Sequence, residues 1–307
     1  SLLAAECERV IGLSGTPIYN KGSEIWNVVN ILDYHCLGDW ESFTRAWCDG
    51  YGNHLVCNPA LLGEHLRREG LILRRTKEEV LAELPPKRRL VQEIDSDDKV
   101  YRELMRPVMD QLGSLLALHP DARERALLEE QVGRGERQAT GVAKAPFVAA
   151  FVRALEDSGE KVLLFAHHHA VMDIYRRELA AYRPVFITGR ESTTQKEEAV
   201  ARFVEGKTNL CVISLRAASG LNLQRASCVV FGELDWSPAV HSQAEDRAHR
   251  IGQKHVVTVY KLVSEGTIEE KIIAIQERKK ELAKQVLEGE GMDSVSFTKE
   301  EILELLG

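Results

Sequence analysis

From about residue 146 the chain alternates short apolar runs with amphipathic ones, and this constrains its fold more than any other feature. Residues 161–166, 184–187, 209–214, 228–232 and 256–262 are compact apolar runs of strand length. Between and after them lie stretches of helical periodicity. These are 169–181, a segment from Thr194 with a Thr-x-x-Glu197 capping box, one starting at Ser237-Pro238, and a long one from about 267 to 288. Strands alternating with helices require a parallel sheet with right-handed crossovers. The expected fold is therefore α/β, with a parallel-sheet lobe preceded by a mainly helical segment. Such a sheet gathers the carboxyl ends of its strands on one edge, where open α/β folds place ligands.

The first half reads differently. Residues 10–20 suggest a short strand running into a Ser-Gly-Thr-Pro turn. Residues 22–82 read as helices anchored by Trp26, Trp40 and Trp47, 83–94 as extended around Pro85-Pro86, and 97–118 as helical. Residues 119–143 are charged, contain glycine and lack periodicity, so a mobile loop is expected there. This divides the chain into 1–94, 95–145, 146–266 and 267–307. No run approaches the roughly 18 apolar residues of a membrane span, and the N-terminus lacks the pattern of a signal peptide. The chain opens in mid-pattern, which suggests a piece of a longer protein. Its six cysteines contain no C-x-x-C pair, so free thiols in a reducing compartment are expected. That compartment would be the cytoplasm or nucleoid of a bacterium or the nucleus of a eukaryote. Cys36, Cys48, His54 and Cys57 are irregularly spaced and His167-His168-His169 are adjacent, so no metal site is expected. Net charge is −7, which argues against a uniformly basic nucleic-acid binder. Residues 65–90 nevertheless hold eight Lys/Arg against four acids, a local +4, which suits a phosphate backbone met along one groove or a solvated linker.

One stretch carries chemistry: Gln243-Ala-Glu-Asp-Arg247-Ala-His-Arg250-Ile-Gly-Gln253. Ser237-Pro238 is a good helix start and Gly252 a good stop. On one helix Gln243, Arg247 and Arg250 fall at i, i+4 and i+7, beside an apolar stripe of Val240, Ala244, Ala248 and Ile251. Two permanently charged, planar forks at the lip of a packed face can stabilise a transferring phosphoryl group. The alternative is a solvated helix whose Glu245, Asp246, Arg247 and Arg250 pair with one another.

This block resembles motif VI of the Swi/Snf family of superfamily 2 helicase-like ATPases. Other blocks follow the family's order. Leu13-Ser-Gly-Thr-Pro17 resembles motif III, and Leu73-Arg-Arg-Thr-Lys77 with Leu84-Pro-Pro-Lys87 resembles the linker between the two lobes. Val162-Leu-Leu-Phe165 resembles motif IV, and Ser214 through Leu223 resembles motif V. Phe231-Gly-Glu-Leu-Asp-Trp-Ser-Pro238 with Phe165-Ala-His-His168 is most similar to the fork-remodelling, strand-annealing branch. Motif V departs from the family in having Ala218 and Ser219 where a glycine pair is usual, and it is one residue short. Lys196 stands where an arginine is frequent, and Thr188 where an aspartate is.

The resemblance implies a RecA-like C-terminal lobe preceded by the end of lobe 1, in an ATP-dependent double-stranded DNA translocase. It implies catalytic roles for Arg247, Arg250 and Gln243, and cofactor-binding roles for Gly220, Asn222, Gly15 and Thr16. Arg74, Arg75, Lys77, Lys196, Ser214 and His168 would meet DNA. ATP and Mg²⁺ would be bound mainly by an N-terminal RecA-like lobe upstream of Ser1, and the chain alone would not hydrolyse ATP. Ala201-Arg-Phe-Val-Glu-Gly206-Lys207-Thr208 approaches a phosphate-loop pattern, but it ends a helix and enters a strand, whereas a phosphate loop leaves a strand and opens a helix. The rival to the translocase reading is a non-catalytic RecA-like module that docks DNA or protein. Trp236 is expected to pack against the lobe.

Overall fold

The computed structural model describes residues 7, 10–14, 17–18, 23–49, 56–116 and 122–288. The chain divides into two compact units. One comprises Ser1–Ala82, Ser237–Ala239 and Ala274–Leu306; the other is essentially Glu83–Trp236 with Val240–Ile273.

The first unit is helical where described. Helices α1 (Glu24–Leu32), α2 (Trp40–Trp47), α3 (Pro59–Arg68) and α4 (Lys77–Val80) start on polar signals. Asp39 caps α2 and Asn58 caps α3, which has Pro59 in its first turn. Thr76 and Glu79 form a reciprocal capping box on α4. Ile25, Val29, Phe43, Leu62 and Leu66 form the core, with Trp26, Trp40 and Trp47 packed against it as expected. Val286 and Leu287 complete this cluster, and Arg67 donates to the Leu287 carbonyl at 3.0 Å. The described residues within 10–20 include no strand, contrary to expectation.

The second unit is the parallel sheet. Its strands are β1 (Lys87–Glu93), β2 (Val162–Ala166), β3 (Val185–Ile187), β4 (Leu210–Ser214), β5 (Cys228–Phe231) and β6 (Val257–Val263). Their order is β1-β6-β5-β2-β4-β3, and every pairing is parallel. Strands β2 to β5 are buried along their whole length, so both faces are covered. Leu163, Phe165, Cys211, Ile213, Val229 and Phe231 enter one core; Val162, Leu164, Leu210, Val212 and Val230 enter the other. The two sets alternate along each strand, as the pleat demands. Helices α5 (Asp98–Leu116), α6 (Ala122–Asp157), α7 (His169–Glu178), α8 (Thr193–Val204), α9 (Pro238–Glu245) and α10 (Ile268–Glu288) complete the described helices.

Four expectations need correction. The loop expected over 119–143 is instead helix from Ala122, part of the 36-residue α6. Two of its glycines serve close approach rather than turning: a Cβ at Gly141 would lie 2.5 Å from Glu233 Oε1, and one at Gly135 would lie 3.0 Å from Val108. Residues 83–94 are not only a linker, because β1 joins the sheet beside β6. The capping box of α8 is Ser192…Gln195, which starts the helix earlier than Thr194. Finally, α9 ends at Glu245, so the arginines lie in the turns that follow it.

The reason for that last break lies on β1. Glu245 is 2 % exposed, and it pairs with Lys87 Nζ at 2.8 Å and Arg89 Nη2 at 2.8 Å. Burial alone would raise its carboxyl, but those two cations hold it below the usual range. His249 Nε2 lies 2.7 Å from the Pro85 carbonyl. These ties draw the segment to the strand and replace the next helical turn.

Candidate functional site

The carboxyl ends of β2, β3 and β4 open on a cleft of about 540 Å³. β2 delivers His167, His168 and His169 to it, and β3 delivers Thr188 and Gly189. Lys196 comes from α8, Ser214 from the end of β4, and Arg216 from the 3₁₀ turn Leu215–Ala217. No lining residue is a carboxylate. Three residues expected at DNA, His168, Lys196 and Ser214, are thus brought together. Arg216 and the Thr188–Gly189 turn are additions. The first turn of α7 begins here without a side-chain cap, which leaves backbone N–H groups for an anion.

Glu233 organises the floor. Its Oε2 accepts the backbone N–H groups of His167 at 2.7 Å and His168 at 2.9 Å, and its Oε1 lies 2.5 Å from His168 Nδ1. Burial would raise the carboxyl, but His168 and the two amides hold it below its ordinary range. Burial lowers His167, and Arg137 of α6 presses it further down. Arg137 itself donates to the Leu234 carbonyl at 2.8 Å. Sequence reasoning misses Glu233 as a functional residue, although it lies within the Phe231–Pro238 stretch singled out in the sequence.

The arginine segment forms a second group. Arg250 donates to the Asn222 side chain and, at 3.3 Å, to the Leu221 carbonyl. Arg247 Nε donates to the Gln243 carbonyl at 3.1 Å, and the Arg247 carbonyl accepts from Leu223 N–H at 3.0 Å. Motif V and motif VI are therefore laced together, with Gln243, Arg247, Arg250 and Asn222 in one neighbourhood. Gly220 is exposed at φ +76° in the same loop, a conformation that suits glycine. The helical stripe expected for the arginines does not form. Ala244 and Ala248 are buried as expected, but Ile251 is 72 % exposed. Of the acids that could pair with the arginines, Glu245 binds Lys87 and Arg89 of β1 and Asp246 binds Lys87, while Asp246 also acts on Arg247 electrostatically. Burial and then the neighbouring Arg250 lower Arg247 from its ordinary value, against the opposing pull of Asp246.

Other expected positions lie elsewhere. Arg74 and Arg75 are exposed in the loop before α4, and Lys77 opens that helix; all three belong to the first unit. Of the other cations of the +4 stretch, Lys87 and Arg89 pair with Glu245 in the second unit. Gly15 and Thr16 lie outside the described residues, as does the acidic stretch 289–307. The phosphate-loop lookalike behaves as expected. Gly206, at φ +80°, follows the end of α8 and leads into β4, and Lys207 pairs with Glu205 at 2.7 Å. Trp236 packs against the sheet core.

The SNF2-related domain matches residues 3–121, and the Helicase conserved C-terminal domain matches residues 144–252. The chain belongs to the SNF2 family of helicase-like ATPases. It is 29 % identical over 300 residues to the mouse (Mus musculus) DNA annealing helicase and endonuclease ZRANB3, covering 94 % of this chain and 28 % of that protein. It is 31 % identical over 287 residues to the SWI/SNF-related matrix-associated actin-dependent regulator of chromatin subfamily A-like protein 1 of Xenopus tropicalis, covering 87 % and 29 % respectively. The chain thus spans under a third of either relative. The Sulfolobus solfataricus SWI2/SNF2 ATPase core in complex with dsDNA superposes with a TM-score of 0.53 at 22 % identity, over 95 % of this chain and 65 % of that one. That likeness concerns fold, and the sheet unit of this SNF2 chain is a RecA-like lobe.

Proposed function

We propose that the chain is the C-terminal portion of an ATP-dependent double-stranded DNA translocase or remodeller. The observation that carries this is the cleft at the strand ends, where His168, Lys196, Arg216 and Ser214 are brought together in one lining. Backbone phosphate suits such a site, because cations and hydroxyls read charge rather than sequence. The relatives' names support the substrate: one is an annealing helicase and one a chromatin regulator. The wording around Glu233 and His168 favours the fork-remodelling branch.

ATP and Mg²⁺ are the implied cofactors, and when bound they supply phosphoryl transfer. The residues of this chain fit part of that group. Arg247 and Arg250 offer two guanidiniums, and Asn222 orients the second. Their role is to stabilise charge on the terminal phosphate, with Gln243 supporting Arg247 through its carbonyl. In this reading Mg²⁺ and the phosphate cradle belong to an N-terminal RecA-like partner lobe, and the chain alone would not hydrolyse ATP.

The test is DNA-stimulated ATP turnover by the whole protein. Arg247→Ala and Arg250→Ala should each lower it roughly a thousandfold with unchanged circular dichroism. Near-wild-type turnover in both variants would overturn the assignment and leave the docking-module reading standing.

A further inference from the structure

Two segments 65 residues apart meet at one buried carboxylate. Glu233 is 3 % exposed and lies behind the cleft, bonded to His167 and His168 of its lining. Three donors from one dipeptide converge on it: the His167 N–H, the His168 N–H and His168 Nδ1. Helix α6 passes at Gly141, whose missing side chain leaves the carboxylate its room. So much local structure around one acid far exceeds what a surface turn needs.

The consequence falls on the His168 ring. Nδ1 is committed to Glu233, so Nε2 is the polar ring atom left for the cleft. Charged and titratable groups at or beside the cleft are His167 and His169 on the ring's own segment, Lys196 of α8, Arg216 after β4, Arg137 of α6, which acts on His167, and Glu191, which accepts from the Thr188 and Gly189 N–H groups. Tyr175 of α7 is fully buried and feels the charge of Glu233. Glu233 is the carboxylate in direct contact with the ring.

We propose that Glu233 is a positioning residue of the cleft: its carboxylate fixes the His168 ring with Nδ1 inward and thereby aims Nε2 into the cleft, so that on binding a nucleic-acid backbone phosphate the ring carries a proton on each nitrogen and Nε2–H donates to that phosphate. This rests on the reading of the cleft as a phosphate interface and adds a residue and a device to it. The proton on Nδ1 stays with the ring; the carboxylate accepts the hydrogen bond and no bond is made or broken.

Glu233→Gln tests this with near-constant shape. A glutamine whose carbonyl serves the two amides turns its NH₂ toward His168 Nδ1. The ring must then accept there, which enforces the neutral Nε2–H tautomer. In the whole protein labelled with ¹⁵N-histidine and bound to a mixed-sequence blunt duplex, wild-type His168 should show both ring nitrogens protonated. In Glu233→Gln the Nδ1 resonance should move to the unprotonated range. Removing the imidazolium charge from the phosphate should lower the log–log salt slope of duplex binding by about 0.9. His168→Gln should do the same, and the double variant should lose no more than either single one. An unmoved Nδ1 resonance, or additive losses in the double variant, overturns the positioning role. Should Glu233→Gln fail to fold, His168→Gln decides alone, since an unchanged salt slope overturns the proposal. Lys196→Ala with Arg216→Ala tests the underlying reading separately. A retained slope there removes the phosphate interface itself, whereas a reduced slope with an unmoved His168 resonance removes only the role of Glu233.

Discussion

At the scale of single residues, two glycines of α6 show why identity alone misleads. Gly133 and Gly141 both read as loop signals, and both lie in helix. A Cβ at Gly133 would meet only the tip of Ile268 at 4.0 Å, whereas one at Gly141 would press on Glu233 Oε1 and, at 3.1 Å, on Val171. Gly133→Ala should therefore stabilise the protein by roughly 0.5–1 kcal/mol, since alanine restricts the unfolded chain and favours helix. Gly141→Ala should destabilise it by about 1–3 kcal/mol through overpacking. Urea midpoints at constant slope would check the pair, and equal effects at both sites would contradict this packing. Residue chemistry is legible where it stands in a spaced pattern: Arg247, Arg250 and Asn222 all belong to such patterns, and the structure brings them together. Glu233 is not legible in this way, because its importance lies in what it touches 65 residues away.

Among elements, α6 and α10 are joined by an ion pair that no periodicity foretells. Lys144 is fully buried on α6; it donates to Glu269 in the first turn of α10 and, at 2.7 Å, to the Leu262 carbonyl near the end of β6. Glu269 also accepts from Ser264 N–H at 3.2 Å. Removing one partner strands a buried charge. Lys144→Met should cost about 3–5 kcal/mol, and Lys144→Met with Glu269→Leu should recover much of that loss. Thermal or urea unfolding of both variants measures it; a double variant no better than the single one would show that the pair is not the issue. Strands are the most legible elements, because β2 to β5 are apolar on both faces and lie between helices of regular period. The end of α9 is hidden, since the ties from Glu245 and His249 to the β1 region override a pattern that locally reads as helix through 251.

For the molecule as a whole, charge that reads as one patch is divided between two units. Arg74, Arg75 and Lys77 lie in the first, while Lys87 and Arg89 are engaged with Glu245 in the second. If the first three meet DNA, replacing them together in the whole protein should flatten the salt dependence of duplex binding by about 0.9 for each phosphate no longer neutralised, equally for every sequence. Filter binding across salt concentrations checks this, and an unchanged slope would make them a structural linker. The sheet's own edge carries a different consequence. β1 pairs with β6 in register Lys87↔Val257, so a strand made early has no partner until residues 170 positions later have been made. At roughly 5–20 residues per second that interval is about ten to thirty seconds on the ribosome. Throughout it an unpaired edge carrying Leu90 and Val91 is open to other nascent chains. Lys87, Arg88 and Arg89 charge that edge while it waits, a protection against mispairing. The same lysine and the last arginine then become the cations that receive Glu245 once the sheet closes.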